Sequence, residues 1–155
     1  MVIHNKSRLP GVALTPLDPL DAALEALHFG FRGLTVEADR YLATLGLSRV
    51  HHRILYVIAR SEGITVGELA ALLGISKQAL HRPLTSLTEK DYVATRRDAD
   101  NHRFKLLALT PTGQQVEQAA SQHERDAVAA AFDRVPAKSR DDWYRIMASL
   151  ASKLE

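Results

Sequence analysis

Residues 65–90 are punctuated so closely that few backbones fit them. Thr65-Val66-Gly67-Glu68 places a hydroxyl three residues before a carboxylate, the spacing at which each side chain satisfies a free backbone amide at a helix start. The short helix that follows is expected to bury Leu69, Leu72 and Leu73. Gly74 closes it, because a residue without a side chain enters the left-handed cap conformation freely. Ile75 plugs the turn. Ser76 then caps a second helix, which runs to about Lys90. There Ala79, Leu80, Leu84 and Leu87 face inward and Lys77, Gln78, His81, Arg82 and Thr85 face outward. Gln78, His81, Arg82 and Thr85 step by three, one and three, which keeps them on one helical face. Pro83 sits mid-helix, removes the amide bond to the Ala79 carbonyl, and should kink or loosen the helix there.

A basic hairpin comes next. Tyr92 to Arg97 reads as one strand, Arg103 to Leu109 as its partner, and Asp98 to His102 as the connection. A lone hairpin is marginal in water, so it must lean on the helices. Upstream, Ser48 caps a lead-in helix from Arg49 to about Arg60, whose buried face is Val50, Ile54, Val57 and Ile58. Ser61-Glu62-Gly63 is a turn. Helix, turn, helix and basic hairpin in that order make a winged helix-turn-helix over residues 48–110, the arrangement that places one helix in a DNA major groove.

Long helical segments flank this unit. Asp18-Pro19 starts a helix as cap and first residue. Leu20, Leu24, Leu27, Phe31, Leu34, Ala38, Tyr41 and Leu45 then alternate steps of four and three, a heptad seam. Gly30 and Gly33 each weaken it by about 1 kcal/mol relative to Ala, or allow close packing. Gly46 ends the helix and Leu47 folds back on it. Thr110-Pro111 repeats the cap-then-proline device, and Val116, Ala120, His123, Ala127 and Ala130 continue the same spacing. Pro136 ends that segment. Ser139 to Asp142 caps a last helix expected to bury Trp143, Ile146, Met147, Leu150 and Leu154. One reading unit does not need seams this long; two chains interlocking through their terminal helices do. The expected fold is therefore mainly α with a small β-hairpin wing. Residues 1–17 form a flexible arm, residues 18–47 and 111–155 form the dimerisation helices, and residues 48–110 form the DNA-binding domain.

Charge follows the same division. Residues 49–110 hold ten Lys and Arg against six Asp and Glu; residues 1–48 hold four against five, and residues 111–155 six against seven. A basic middle between mildly acidic flanks suits a polyanion. The chain has no cysteine, hence no disulfide, thiolate metal site or thiol switch. No run of eighteen apolar residues and no signal peptide is legible, so a cytoplasmic protein without membrane contact is expected. There is no G-x-S-x-G, phosphate loop or metal-binding helix motif. No enzyme activity, cofactor or metal is expected.

The element order over residues 18–154 resembles the MarR family of bacterial transcription regulators. The likeness is sharpest in LSRVHHRILYVIARSEGITVGELAALLGISKQALHRPLTSLTEKDYV, and in RRDADNHRFKLLALTPTG, which is similar to the family's wing and the start of its fifth helix. Arg103, with Leu107, Leu109 and Thr110, matches the family's wing arginine and leucine-threonine exit. Two positions depart from the pattern. Asn101 stands where the family has Asp, with Asp98 or Asp100 as substitutes for holding the wing. Asp91 stands where it has Gly. The resemblance implies a homodimer, a palindromic operator and a small ligand that shifts the spacing of the two reading heads.

Double-stranded DNA is thus the expected partner, beside a second copy of the chain. Gln78 suits adenine and Arg82 guanine; His81 suits bases or phosphate. Ser76 and Lys77 suit phosphates at the helix start, with Thr85 on the same face. Arg103, with His102, is expected to enter or border the minor groove. Arg96 and Arg97 lie along the backbone, unless Arg97 pairs with a wing aspartate. In the family, effectors bind between the dimer helices and the reading head. His51 and His52 lie there, with Arg32, Tyr41, Arg49 and Tyr56 as neighbours. Cations and hydrogen-bonding groups beside apolar walls suit an aromatic or heteroaromatic carboxylate. Capping and packing are the alternative roles for the two histidines. They point about 100° apart on a helix, which disfavours a shared metal. His28 and His123 fit a core or interface better than a ligand site. The expected function is a ligand-responsive regulator, usually a repressor in this family; the alternative is an architectural DNA-binding protein without an effector.

Overall fold

The computed structural model describes residues 14–155, so most of the expected arm lies outside the described residues; residues 14–16 have no regular secondary structure. Helices α1 (Asp21–Thr44) and α2 (Arg49–Arg60) come first. Strand β1 (Ile64–Thr65), α3 (Val66–Leu73) and α4 (Lys77–Glu89) follow. Then come β2 (Val93–Arg97), β3 (Lys105–Leu109), α5 (Pro111–Phe132) and α6 (Ala137–Ala151). The fold is mainly helical with a small antiparallel sheet. The chain divides into two compact units between Gly33 and Leu34.

In the second unit the core gathers Leu42, Leu47, Ile54, Leu55, Ile58, Leu69, Leu80, Leu87, Val93, Leu107, Val116 and Ala120. Each helix of the reading head contributes one stripe to it. The local signals at the helix ends act as anticipated. Thr65 Oγ1 accepts from Glu68 N at 3.2 Å, while Thr65 N at 2.8 Å and Thr65 Oγ1 at 2.9 Å both donate to Glu68 Oε2, and these two bonds to the carboxylate lower its pKa from the ordinary value. Ser76 Oγ accepts from Ala79 N, and Thr110 Oγ1 from Gly113 N. Gly46 takes φ +68°, and Leu47 N donates back to the Leu42 carbonyl.

Several expectations need correction. The sheet has three strands in the order β1-β3-β2. Ile64 pairs with Leu107 and Thr65 with Leu106, which gives the second edge of β3 its hydrogen bonds. Two residues are too few to show an alternating pattern. Helix α1 starts at Asp21, not Pro19. The Asp18 carboxylate bonds Leu20 N two residues on, so a turn precedes the helix. Val50 is 51% exposed and Leu72 65% exposed, and Ala79 and Ile75 also face solvent. The turn after α3 is closed instead by the Ile75 amide on the Ala70 carbonyl. On α5 the buried stripe is Gly113, Val116, Glu117, Ala120 and Ser121, so His123 and Ala130 lie outside it. Helix α6 starts at Ala137 behind Pro136, because Ser139 N already donates to the Pro136 carbonyl. Nothing on α6 is buried within the chain: Trp143, Ile146, Leu150 and Leu154 are exposed, and Met147 is half-buried. Leu20, Leu24, Leu27 and Phe31, on the approach to and first half of α1, are exposed in the single chain, as positions expected to meet a second chain are. Pro83 leaves α4 continuous from Lys77 to Glu89.

The exit from α4 carries a backbone cost. Tyr92 N donates to the Leu87 carbonyl and Asp91 N to the Thr88 carbonyl, the paired bonds of a left-handed helix end. Asp91 is the left-handed residue, at φ +60°. A side chain there is strained, whereas glycine is not. Asp91→Gly is therefore expected to stabilise the fold by about 0.5–1 kcal/mol, measured by chemical denaturation. An unchanged or lower stability would show that the Asp91 carboxylate offsets its own strain.

Candidate nucleic-acid interface

Helix α4 is divided cleanly between core and solvent. Leu80, Leu84 and Leu87 are buried, while Lys77, Gln78, His81 and Arg82 are exposed and Thr85 is half-buried. Hydrogen-bonding and cationic groups thus occupy the face opposite the core stripe. Ser76 Oγ is engaged as the helix cap, so its hydroxyl has only its remaining capacity for a phosphate.

The wing is held by its own short side chains. Arg97 Nη1 donates to the His102 carbonyl at 2.7 Å, so Arg97 braces the wing tip and pairs with neither wing aspartate. Asn101 Oδ1 accepts from Arg103 N at 3.2 Å, and Asp98 Oδ1 from Asp100 N at 3.0 Å. Asp98 N also donates to the Phe104 carbonyl, and Phe104 N to that of Asn101. Asn101 therefore keeps a backbone-bonding role at the departing position, beside Asp98. Arg96, His102 and Arg103 are exposed. Lys105, at the head of β3, joins them; its place in an ordinary alternating strand gave no signal.

Of the residues assigned to an effector, those in the second unit do not line one cavity. His51 Nδ1 lies 3.0 Å from both Ser48 N and Ser48 Oγ. It completes the cap of α2, the role a Glu or Gln plays at that position. Burial, and then the nearby Lys90 charge, lower its pKa from the ordinary value. Only neutral imidazole can accept from Ser48 N. The unfolded chain therefore takes up the proton first, and the cap's contribution is present above about pH 6.5 and fades as pH falls below it. His51→Ala should cost about 1 kcal/mol at pH 8 and less at pH 5. A pH-independent difference in denaturation midpoint would remove the imidazole from the cap.

His52 is buried, with Nε2 3.1 Å from Ser121 Oγ and Nδ1 3.4 Å from Glu124 Oε1. Arg49 pairs with Asp39. The Arg32 guanidinium stands 6.0 Å from the Phe29 ring centroid. Tyr41 lies against His123, ring to ring at 5.8 Å. A cavity of about 420 Å³ opens between α2 and α5, lined by Leu34, Tyr56, Arg60, Ser121, Glu124, Arg125, Val128, Ala129 and Phe132. Of residues 41, 49, 51, 52 and 56, only Tyr56 reaches it. Arg60 and Arg125, its cations, were missed because each looks like an ordinary surface charge on a helix. Arg60 stacks on the Tyr56 ring, 3.6 Å from its centroid, and binds buried Glu117 at 2.8 Å.

A buried helix-turn-helix with an exposed polar reading face and a braced hairpin beside it is the winged-helix class of DNA-binding fold. The comparisons with known proteins agree. Residues 45–103 match the model of the MarR family. The HTH-type transcriptional regulator PetP of Rhodobacter capsulatus is 35% identical over 115 residues, covering 74% of this chain and 69% of that protein. The chain belongs to the MarR family of transcription regulators, which are not enzymes. Streptococcus pneumoniae FabT, solved in complex with DNA, superposes with a TM-score of 0.78 at 18% identity, over 86% of this chain and 96% of that one. The crystal structure of MarR superposes at 0.72 with 23% identity, over 92% and 95%. Among the described residues no helix is long and apolar enough to cross a membrane.

Proposed function

We propose that this chain is a homodimeric repressor that binds a palindromic operator in the cytoplasm and is released by a small aromatic or heteroaromatic acid. The observation that carries the reading is α4 itself, whose outward face presents Lys77, Gln78, His81 and Arg82 together. Two such helices about a two-fold axis enter successive major grooves about one turn of DNA apart. The apolar stripes left exposed on α6 and on the approach to α1 are what a second copy would cover. DNA in the FabT complex supports the same use of the fold. The seat proposed for the acid is the cavity between α2 and α5, with Tyr56 and Phe132 as walls and Arg125 as a cation beside Arg60, which is also engaged with Glu117.

The test is binding to the DNA upstream of the chain's own gene against random DNA, with and without a panel of aromatic acids. One tight site occupied by two chains and vacated by one acid is the expected result. Equal binding to both DNAs, untouched by any acid, would leave an architectural protein. Arg103→Ala should weaken operator binding about ten-fold or more, as removal of one groove-reading arginine does, with the melting temperature unchanged; unchanged affinity would take the wing out of the interface. The acid has a direct reporter. The chain's one tryptophan, Trp143, meets the cavity residue Phe132 edge to face at 5.5 Å, so an occupant should alter its emission.

A further inference from the structure

Between the start of α3, the start of α4 and the head of β3 lies a groove of about 280 Å³, lined by Thr65, Val66, Gly67, Lys77, Arg103, Phe104 and Lys105. Three of those residues are cations from separate elements, and none is an acid. Among the described residues, Lys77, Arg103 and Lys105 make no ion pair. The nearest carboxylate along the chain, Glu68, is turned to Thr65 N and Oγ1 and lines a different groove. Gathering three positive charges without a counter-charge costs free energy at low salt, and an anion offsets it. Gly67 is what leaves the room: a Cβ there would lie 3.2 Å from Lys77 Cε and 3.4 Å from its Nζ. The lysine stem therefore lies across the bare helix start toward the wing.

We infer that this groove is a seat for one phosphodiester of the DNA backbone, gripped by Lys77 and Lys105, with Arg103 at its edge where the seat meets the wing tip. Gly67 is its positioning residue. The seat rests on the DNA-binding reading above and adds to it a site joining the reading helix to the wing. It makes Lys105 a DNA contact and gives Gly67 a function apart from helix formation. A phosphate contact carries no base information, so the seat sets register and affinity rather than sequence preference.

The experiment measures binding of the full-length chain to duplex DNA across a salt series. Lys105→Gln and Lys77→Gln should each flatten the slope of log affinity against log salt by about one. Each should weaken operator and random DNA by the same factor. Lys153→Gln, at the chain's far end, should leave the slope unchanged. Gly67→Ala meets only the flexible end of a lysine, so it should fold normally. It should lower affinity in the wild-type background and do nothing further in Lys77→Gln. Wild-type slope in Lys105→Gln, or an equal effect of Gly67→Ala with and without Lys77, would overturn the seat while leaving the regulator reading intact. A wild-type chain that binds no DNA would overturn both.

Discussion

Gly113→Ala should destabilise the fold by about 3 kcal/mol, at the upper end of overpacking costs. A Cβ on Gly113 would stand 2.0 Å from the Tyr92 carbonyl oxygen and 2.9 Å from its carbon. Both are backbone atoms, so no side chain can swing aside. The oxygen is already committed, accepting Thr110 N at 3.1 Å. Thr110 Oγ1 in turn donates to the Asp91 carbonyl at 2.7 Å and accepts Gly113 N at 2.9 Å. The first turn of α5 is thereby stapled to the entrance of β2, and making room for one methyl means parting the helix from the sheet. Chemical denaturation of the purified chain reads the loss. A drop in melting temperature of about 6–12 °C accompanies it for a chain of this size. A loss below about 0.5 kcal/mol, the scale of an ordinary surface change, would mean that α5 can slide on the wing without cost.

The second large effect is expected at Arg60. Glu117 is buried, and its Oε1 accepts from Arg60 Nη1 at 2.8 Å and from Ser121 Oγ at 2.6 Å. Ser121 Oγ also meets His52 Nε2. Arg60→Ala takes away the only cation on that carboxylate among the described residues, together with the stack on Tyr56. Leaving a buried charge without its partner typically costs 3–5 kcal/mol. Arg60 is itself 40% exposed along its side chain, so water screens part of the pair, and a loss of about 2–3 kcal/mol is expected. Replacing both partners, Arg60→Met with Glu117→Leu, should recover most of it, because an apolar pair of similar volume has no charge to desolvate. If the double variant is no more stable than Arg60→Ala, packing on Tyr56 rather than charge is what Arg60 supplies.

These two sites differ in how far the sequence foretold them. Gly113 follows Thr110-Pro111, a cap legible at once, yet nothing in TPTG says that a carbonyl from residue 92 will press against it. The Arg60–Glu117 pair joins residues 57 apart and the His52–Ser121 bond residues 69 apart; both look like ordinary helix-face polarity until α2 and α5 are packed. The same holds for the six residues assigned to an effector. Their grouping follows the family's cleft and the meeting of the first two helices; of those in the second unit only Tyr56 lines the cavity, whose other walls are Leu34, Arg60 and residues 121–132 of α5. The sequence allows His51 as ligand or cap, and its ring bonds Ser48 across three residues, as a cap does.

What the sequence determined alone was whatever is settled within about one helical turn. The Thr65–Glu68 box, the Ser76 cap, the left-handed residues at Gly46 and Gly74, and the outward Gln78-His81-Arg82 face all depend on atoms a few residues apart, where chain connectivity already fixes the geometry. Tertiary structure decided which apolar residues were covered: Leu72 and Val50 fit their stripes by period but are left exposed. It decided that Ile64 and Thr65 become a third strand, because an unpaired edge of β3 needed donors. It also brought Lys77 and Lys105 to one groove across a bare Gly67. Contacts of that kind depend on how elements pack, and packing is a property of the whole chain that no window of residues contains.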